Sequence, residues 1–363
     1  GTKRAGAGIT YSSTFGLETL FMSPELQSSF GQGSYGNYVV NNTESWGPRI
    51  EGQSYEKWDK TTATMSAYNN IDEFFRTGFN TTHSLSFQQQ ISPNTSVYSS
   101  GTYFLDNSRI PGAKLERLNL TTRAVSNFGE NNKWTTDFKV QYMNNKAKNR
   151  PLSGNNANNY FYTILLLPRS FNVLDLKPGV DEDGNHFYWL PSDQSSSVNP
   201  YWAVDNNLNQ DTRDRFLLNG SIKYKFNDWL TSEFRGGADI FNTRSETKLY
   251  ASSPILLNGR YAYGSNSFIE KNFIGSLTAS KDDLFGKLGG SLGVYGQIMQ
   301  SDRKYLEANS GELEVPNLFS VNNGKNPASV TQIFEKKQIN SLFGTAEINY
   351  DGFWFLNFTA RND

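Results

Sequence analysis

The sequence predicts an all-β chain: an antiparallel transmembrane β-barrel, of which about eleven strands are present. Three observations carry that expectation. Apolar and polar residues alternate with period two in segment after segment, connections alternate between short turns and long loops, and aromatic residues gather at the short-turn end.

The alternation is clearest at 134–142, where Trp134, Thr136, Phe138, Val140 and Tyr142 alternate with Thr135, Asp137, Lys139 and Gln141. Successive side chains of a strand point to opposite faces, so this segment has two unlike faces. The same pattern runs through 118–128, 216–226, 230–240 and 342–350, and more weakly through 8–16, 79–90, 96–105, 272–280, 288–300 and 353–361. In the clear strands Arg123, Asp137, Lys139, Lys223, Lys225, Glu233, Arg235, Asp239 and Glu347 fall on one phase, while the aromatics, Leu and Ile dominate the other. The charged phase is expected to face a polar lumen and the apolar phase to face lipid.

A soluble β-sandwich would read the same over one strand, so the connections discriminate. Short turns are expected at Ser92-Pro93-Asn94, Gly129 to Asn132, Asn227-Asp228, Asp282-Asp283 with Gly286, and Asp351-Gly352. Long loops are expected over 17–78, 106–116, 144–213, 243–270 and 301–337. Short turns at one end and long loops at the other is the organisation of outer-membrane barrels. Phe128, Trp134, Phe226, Trp229, Tyr350 and Trp354 cluster at the short-turn end, where a membrane girdle would place them.

Composition agrees. The 363 residues carry a net charge of −1, which gives no basic field for nucleic acid. Mean hydropathy is −0.60. Yet 14% of residues are aromatic, which suits apolar surface spread thinly along alternating strands. Cysteine is absent, which excludes a disulfide scaffold and a cysteine-ligated zinc site. The longest apolar run, Phe161 to Leu167 closed by Pro168, is far short of the roughly 20 residues of a helical span. The chain opens without Met and stops in mid-alternation, so it is expected to be a piece of a longer protein.

Three motifs invite a function and are refused. Gly31-Gln32-Gly33-Ser34-Tyr35-Gly36 matches a dinucleotide fingerprint but lacks the strand before and the helix after. Asp181-Glu182-Asp183-Gly184-Asn185 starts like a calcium loop, but Ser192 stands where the bidentate Glu belongs, so a solvated acidic loop is expected. His83 and His186 are far apart and without cysteine partners, so neither a zinc site nor a catalytic histidine is expected. No enzyme, cofactor or metal follows from these residues. The loop aromatics Tyr188, Trp189, Tyr201 and Trp202 stand beside Asn, Gln and Asp. They are the candidates for contact with substrate or a lid, against the alternative that they pack the loop on itself.

Several motifs then occur in a telling order: Gly1-Thr2-Lys3-Arg4-Ala5-Gly6, Glu44 to Arg49, Asn69 to Gly78, Asn149-Arg150-Pro151, Pro168-Arg169-Ser170, Asn199-Pro200-Tyr201-Trp202, Asp211 to Phe216 and Phe358 to Asp363. Together they resemble the SusC/RagA family of TonB-dependent outer-membrane transporters. The resemblance implies a plugged barrel of about 22 strands. Residues 1–7 would be the end of the plug and its junction, and 8–363 the first half of the barrel. It further implies import of an oligosaccharide or oligopeptide, TonB acting through a region outside this chain, and a SusD-like surface lipoprotein as lid. Pairs of such units would associate as dimers in a Gram-negative outer membrane. The alternatives are a passive porin-type channel, a soluble carbohydrate-binding sandwich, and a structural role in a larger surface complex.

Overall fold

The structure, a computed structural model, describes residues 7–152, 159–189 and 198–363. Most of the 1–7 junction therefore lies outside the described residues.

Eleven strands form one antiparallel sheet: β1 (Ala7–Glu18), β4 (Gly78–Ser92), β5 (Thr95–Asn107), β6 (Lys114–Phe128), β7 (Trp134–Lys148), β8 (Asn207–Lys225), β9 (Leu230–Leu249), β10 (Arg260–Phe285), β11 (Leu288–Glu312), β12 (Ser329–Tyr350) and β13 (Trp354–Asn362). Each pairs with its neighbour in the chain. The exception is β1, which pairs with β4 because β2 (Ser54–Glu56) and β3 (Thr62–Thr64) form a separate hairpin in the first long loop. The sheet is open, with β1 and β13 as its edges.

All eleven expected strands are present, but they are longer than expected at the long-loop end. β10 has 26 residues and β11 has 25, whereas a tilted strand crosses a bilayer in about 9–11. The expected loops contract accordingly to 19–77, 108–113, 149–206, 250–259 and 313–328. The reason is physical. Where both faces of a strand meet water, the contrast that marks it in sequence fades. The hydrogen-bond ladder nevertheless continues, as in Asn266↔Tyr305 and Arg303↔Glu335. Asp282 and Asp283 are likewise inside β10, beside a register shift between Lys281 and Phe285, and the turn is formed by Gly286 and Lys287.

The short turns are built by their residues. The Asn227 carboxamide oxygen accepts the N–H groups of Trp229 (3.1 Å) and Leu230 (2.9 Å). Asp351 and Gly352 both take positive φ (52° and 67°), and Phe353 N–H closes on Tyr350 C=O at 3.0 Å. Two left-handed residues match the twist of a hairpin, which favours Asp-Gly.

The main hydrophobic core lies in the loops rather than between sheets. Segments 19–77, 159–189 and 198–206 fold together as a cap around Ile71, Phe74, Ile164, Leu167, Phe171, Val173, Leu176, Trp189, Val198, Trp202 and Ala203. Among the described residues it holds three short α-helices, α1 (Asn70–Phe74), α2 (Tyr160–Leu166) and α3 (Pro200–Asn206), and a 3-10 turn at Val173–Leu176.

Candidate functional site: a two-faced wall and its cap

Residues directly opposed in an antiparallel ladder share a face, so the register sorts the whole wall. Phe138 opposes Gly220, Leu218 opposes Ala238, Phe273 opposes Ile298, and Leu292 opposes Ala346. This face carries Ile9, Leu85, Leu120, Phe216, Phe234, Val294, Leu342 and Phe358, all exposed. Exposed apolar side chains on one face of eleven successive strands form a patch far beyond what a soluble monomer tolerates.

The opposite face carries Arg123, Asp137, Lys139, Lys223, Lys225, Glu233, Arg235 and Asp239. In the ladder, Arg123 opposes Lys139, Asp137 opposes Ser221, which opposes Arg235, and Lys223 opposes Glu233. Arg123 grips Asp137 through both carboxylate oxygens, with Nε at 2.8 Å from Oδ1. Arg235 pairs with Glu233 at 2.7 Å, and Arg215 Nε donates to Asp239 at 2.7 Å. Open to water, such pairs contribute about 0–1 kcal/mol each, so they shape the wall more than they stabilise it. Arg123, Asp137, Lys139, Ser221, Glu233 and Arg235 line a concavity of about 490 Å³ on this face. A wall of both signs presents hydrogen-bond donors and acceptors to any polar body that meets this face.

The six expected girdle residues all stand at the short-turn end and are exposed. Phe128 stacks on Trp134 (6.1 Å between centroids), Trp134 meets Tyr224 (4.5 Å), and Tyr224 meets Phe226 (4.8 Å).

The cap is organised by buried amides. Asn199 is fully buried and precedes Pro200, the pairing that starts a helix: the asparagine caps, and proline fills the first helical position, which needs no donor. Its Oδ1 accepts Tyr201 N–H (2.9 Å), while its Nδ2 donates to Leu176 C=O (2.8 Å) and Phe187 C=O (3.2 Å). Asn70 bridges the two cap segments, accepting Val173 N–H and donating to Phe171 C=O, both at 2.9 Å. Arg169 N–H donates to Ser45 Oγ at 3.0 Å, Gln32 N–H donates to Ser170 Oγ at 2.9 Å, and Arg150 pairs with Asp211 at 2.6 Å. Short motifs that look unrelated along the chain thus touch one another in space.

His186 is buried, and its Nε2 accepts Asn199 N–H at 2.9 Å, which leaves the ring proton on Nδ1. Burial pushes its pKa down to about 4, so the ring is neutral at ordinary pH. It packs between Tyr188 (4.1 Å) and Trp202 (4.6 Å) as a structural histidine. His83 is remote from it, with Nδ1 2.9 Å from the Tyr11 hydroxyl.

The four loop aromatics divide. Trp189 and Trp202 are only 1% and 2% exposed, so the expectation of contact with a substrate or lid is corrected for these two: their indoles are core. The loops supply enough mass to bury them, Trp189 against Phe171 at 5.3 Å. Tyr188 and Tyr201 stay half-buried, Tyr188 donating to Ser252 C=O at 3.0 Å and Tyr201 lying under Lys177 at 5.0 Å. Burial raises the Tyr201 pKa to about 12, helped by the nearby Glu73 carboxylate. Leu190 and Pro191 of that loop lie outside the described residues.

The refused motifs also find their place. Gly33 has φ 124°, and a side chain there would collide with Asn37 C=O, because Ser34 and Asn37 close a tight loop by exchanging hydrogen bonds of 3.2 and 3.0 Å. The glycines serve that turn, and no helix follows. Asp181 Oδ1 accepts Asp183 N–H (3.0 Å) and Asn185 N–H (2.8 Å), so the acidic loop is an exposed turn held by its own carboxylate.

No family model matches the chain, and no curated protein matches it. Solved structures do. The RagAB peptide importer in its open-open state matches with a TM-score of 0.69 at 17% identity, covering 100% of this chain and 42% of that one. Its closed-closed state gives 0.70 at 16% identity, with 99% and 42% covered. A further structure of the RagAB peptide transporter gives 0.64 at 18%, with 81% and 33% covered. In fold, the chain resembles the RagAB transporter. The resemblance to SusC/RagA transporters read from short motifs thus recurs in three dimensions. The chain spans well under half the length of these structures.

What sequence reading missed here is the role of the amides. Asn199 and Asn70 stand in the sequence only as members of the Asn199-Pro200-Tyr201-Trp202 and Asn69 to Gly78 motifs. The Asn-Pro pair before Tyr201 was a legible helix-start signal for Asn199. No comparable signal marks Asn70, whose partners lie about a hundred residues away.

Proposed function

We propose that this chain is the first half of the barrel of a TonB-dependent outer-membrane importer. One observation carries the reading. Eleven strands run in strict sequential order, with one face apolar and exposed, the other charged, all short turns at one end and a packed cap at the other. Such a surface is at home only where one face meets hydrocarbon and the other a polar interior. An open edge in lipid leaves backbone groups unpaired, so β1 and β13 call for further strands, completing about 22 around a plug that joins ahead of Ala7.

In this reading the charged wall faces the plug and the solute path, and the cap faces outward beneath a SusD-like surface lipoprotein, in paired units. Tyr188 and Tyr201 are the remaining loop candidates for contact with solute or lid. An oligopeptide is favoured over an oligosaccharide, because the fold neighbours are described as peptide importers. The test is uptake of fluorescent oligopeptides and oligosaccharides by cells with and without the gene, before and after a protonophore. Uptake lost in both conditions is expected. Uptake that survives the protonophore would point to a passive channel, and uptake unaffected by deletion would remove the import role.

A further inference from the structure

We infer that the outer face of β10–β12 carries a binding site for a lipid headgroup with a net-negative phosphate, formed by Lys271, Lys304 and Lys336. The inference rests on the reading of this sheet as an outer-membrane wall.

The ladder sets out the outer face row by row. Near the turns, Ala279, Leu292 and Ala346 lie side by side, and Leu277, Val294 and Gly344 follow. Then come Gly275, Gly296 and Leu342, and after them Phe273, Ile298 and Asn340. The next row is Lys271, Gln300 and Gln338, then Ile269, Asp302 and Lys336, then Ser267, Lys304 and Phe334. The face thus changes from apolar to basic within two rows.

The change falls at the right height. The three lysines stand roughly 14–16 residues along their strands from the short-turn end. At ~3.4 Å per residue and a ~45° tilt, that is about 34–38 Å, just past an apolar band of about 25 Å and its lower girdle. The headgroup layer of the outer leaflet lies there.

The charges are not spent elsewhere. Among the described residues, Lys336 meets Asp302 at a loose 3.7 Å, and neither Lys271 nor Lys304 takes part in an ion pair. The three lysines border one concavity of about 570 Å³ together with Gln300, Ser267 and Gln338, which offer further hydrogen-bonding groups. Three ammonium groups against one carboxylate leave an excess of positive charge. The same outer face on β7–β9 is different: Asp214 accepts from Tyr142 Oη and Asn144 Nδ2, both at 2.7 Å, and pairs with Arg244 at 3.4 Å. That cluster satisfies itself, whereas the lysine face is left for a ligand. Lysine stems lie along apolar surface while the ammonium reaches the headgroup level.

The full-length chain is purified in detergent and assembled into nanodiscs of phosphatidylcholine alone or with phosphatidylglycerol, and lipid retention is read by native mass spectrometry. Wild type and a Lys→Arg triple variant are expected to retain phosphatidylglycerol selectively. K271Q/K304Q/K336Q is expected to lose the selectivity by about fivefold per lysine, on the order of a hundredfold for all three. Retention unchanged in the Gln triple overturns the site. Selectivity abolished equally by millimolar inorganic phosphate shows a free-anion site and also overturns it. A chain that stays soluble without detergent refutes the membrane reading instead, so the two failures are told apart before any lipid is added.

Discussion

Replacing Asn199 by alanine should unlock the cap while leaving the wall standing. The side chain is 0% exposed and performs three tasks at once. As N-cap of α3 it accepts Tyr201 N–H, a role worth about 1 kcal/mol. Its two donated hydrogen bonds satisfy Leu176 C=O and Phe187 C=O, and leaving a buried acceptor unpaired costs about 1–3 kcal/mol. Leu176 is fully buried and Phe187 only half, so the sum is about 3–4 kcal/mol. That corresponds to local opening on the order of a few hundredfold more frequent. Hydrogen exchange on the full-length chain reads this directly, with faster exchange expected in 159–189 and 198–206 and unchanged exchange in β6–β8. Asn199→Ser should restore about 1 kcal/mol, because serine caps but cannot reach both carbonyls. If the alanine variant exchanges within about threefold of wild type, Asn199 is not the organiser described above.

Three further outcomes follow from the cap. His186 has its folded pKa lowered by burial from 6.5 to about 4, so the unfolded segment binds the extra proton between those values. Stability is therefore fully present above pH 6.5 and lost as pH falls toward 4, by up to on the order of 3 kcal/mol. Exchange protection of the cap should fall over that window, and His186→Asn should flatten the dependence. At Gly33, with φ 124° and Asn37 C=O 2.0 Å from any added Cβ, alanine should cost about 2 kcal/mol or more and expose the 30–48 loop to protease. Gly36 has φ 78° and open space around it, so Gly36→Asn should cost less than about 1 kcal/mol.

If the wall stands in a bilayer as proposed, it was legible in the sequence because a membrane imposes its contrast residue by residue. In that setting Phe138 and Lys139 could not exchange faces without placing a charge in hydrocarbon, nor Leu218 and Asn219 without burying an unpaired amide there, so the alternation is sharp over these residues. Beyond the crossing it blurs. Residues 301–312 and 329–337 read as loop yet continue β11 and β12, because Ser, Lys, Gln and Asn suit either face in water. The cap was least legible. Its core joins Ile71 and Phe74 to Trp189 and Trp202 across more than a hundred residues, and no local period marks such contacts. That is why two tryptophans expected to meet a partner are instead holding the cap together.

The central claim, that this sheet is a bilayer wall with one face in lipid, is tested most directly by arginine at two adjacent positions of β8. Leu218 is on the apolar face and Asn219 on the charged one. Leu218 is roughly 17 Å above the turn after β8 at ~3.4 Å per residue and a ~45° tilt, near the bilayer midplane. Folding of the full-length chain into vesicles from denaturant should lose about 2–4 kcal/mol with Leu218→Arg. Asn219→Arg, one residue along the strand, should change it by no more than about 1 kcal/mol. Equal effects at the two positions, or a larger one at Asn219, would contradict the account.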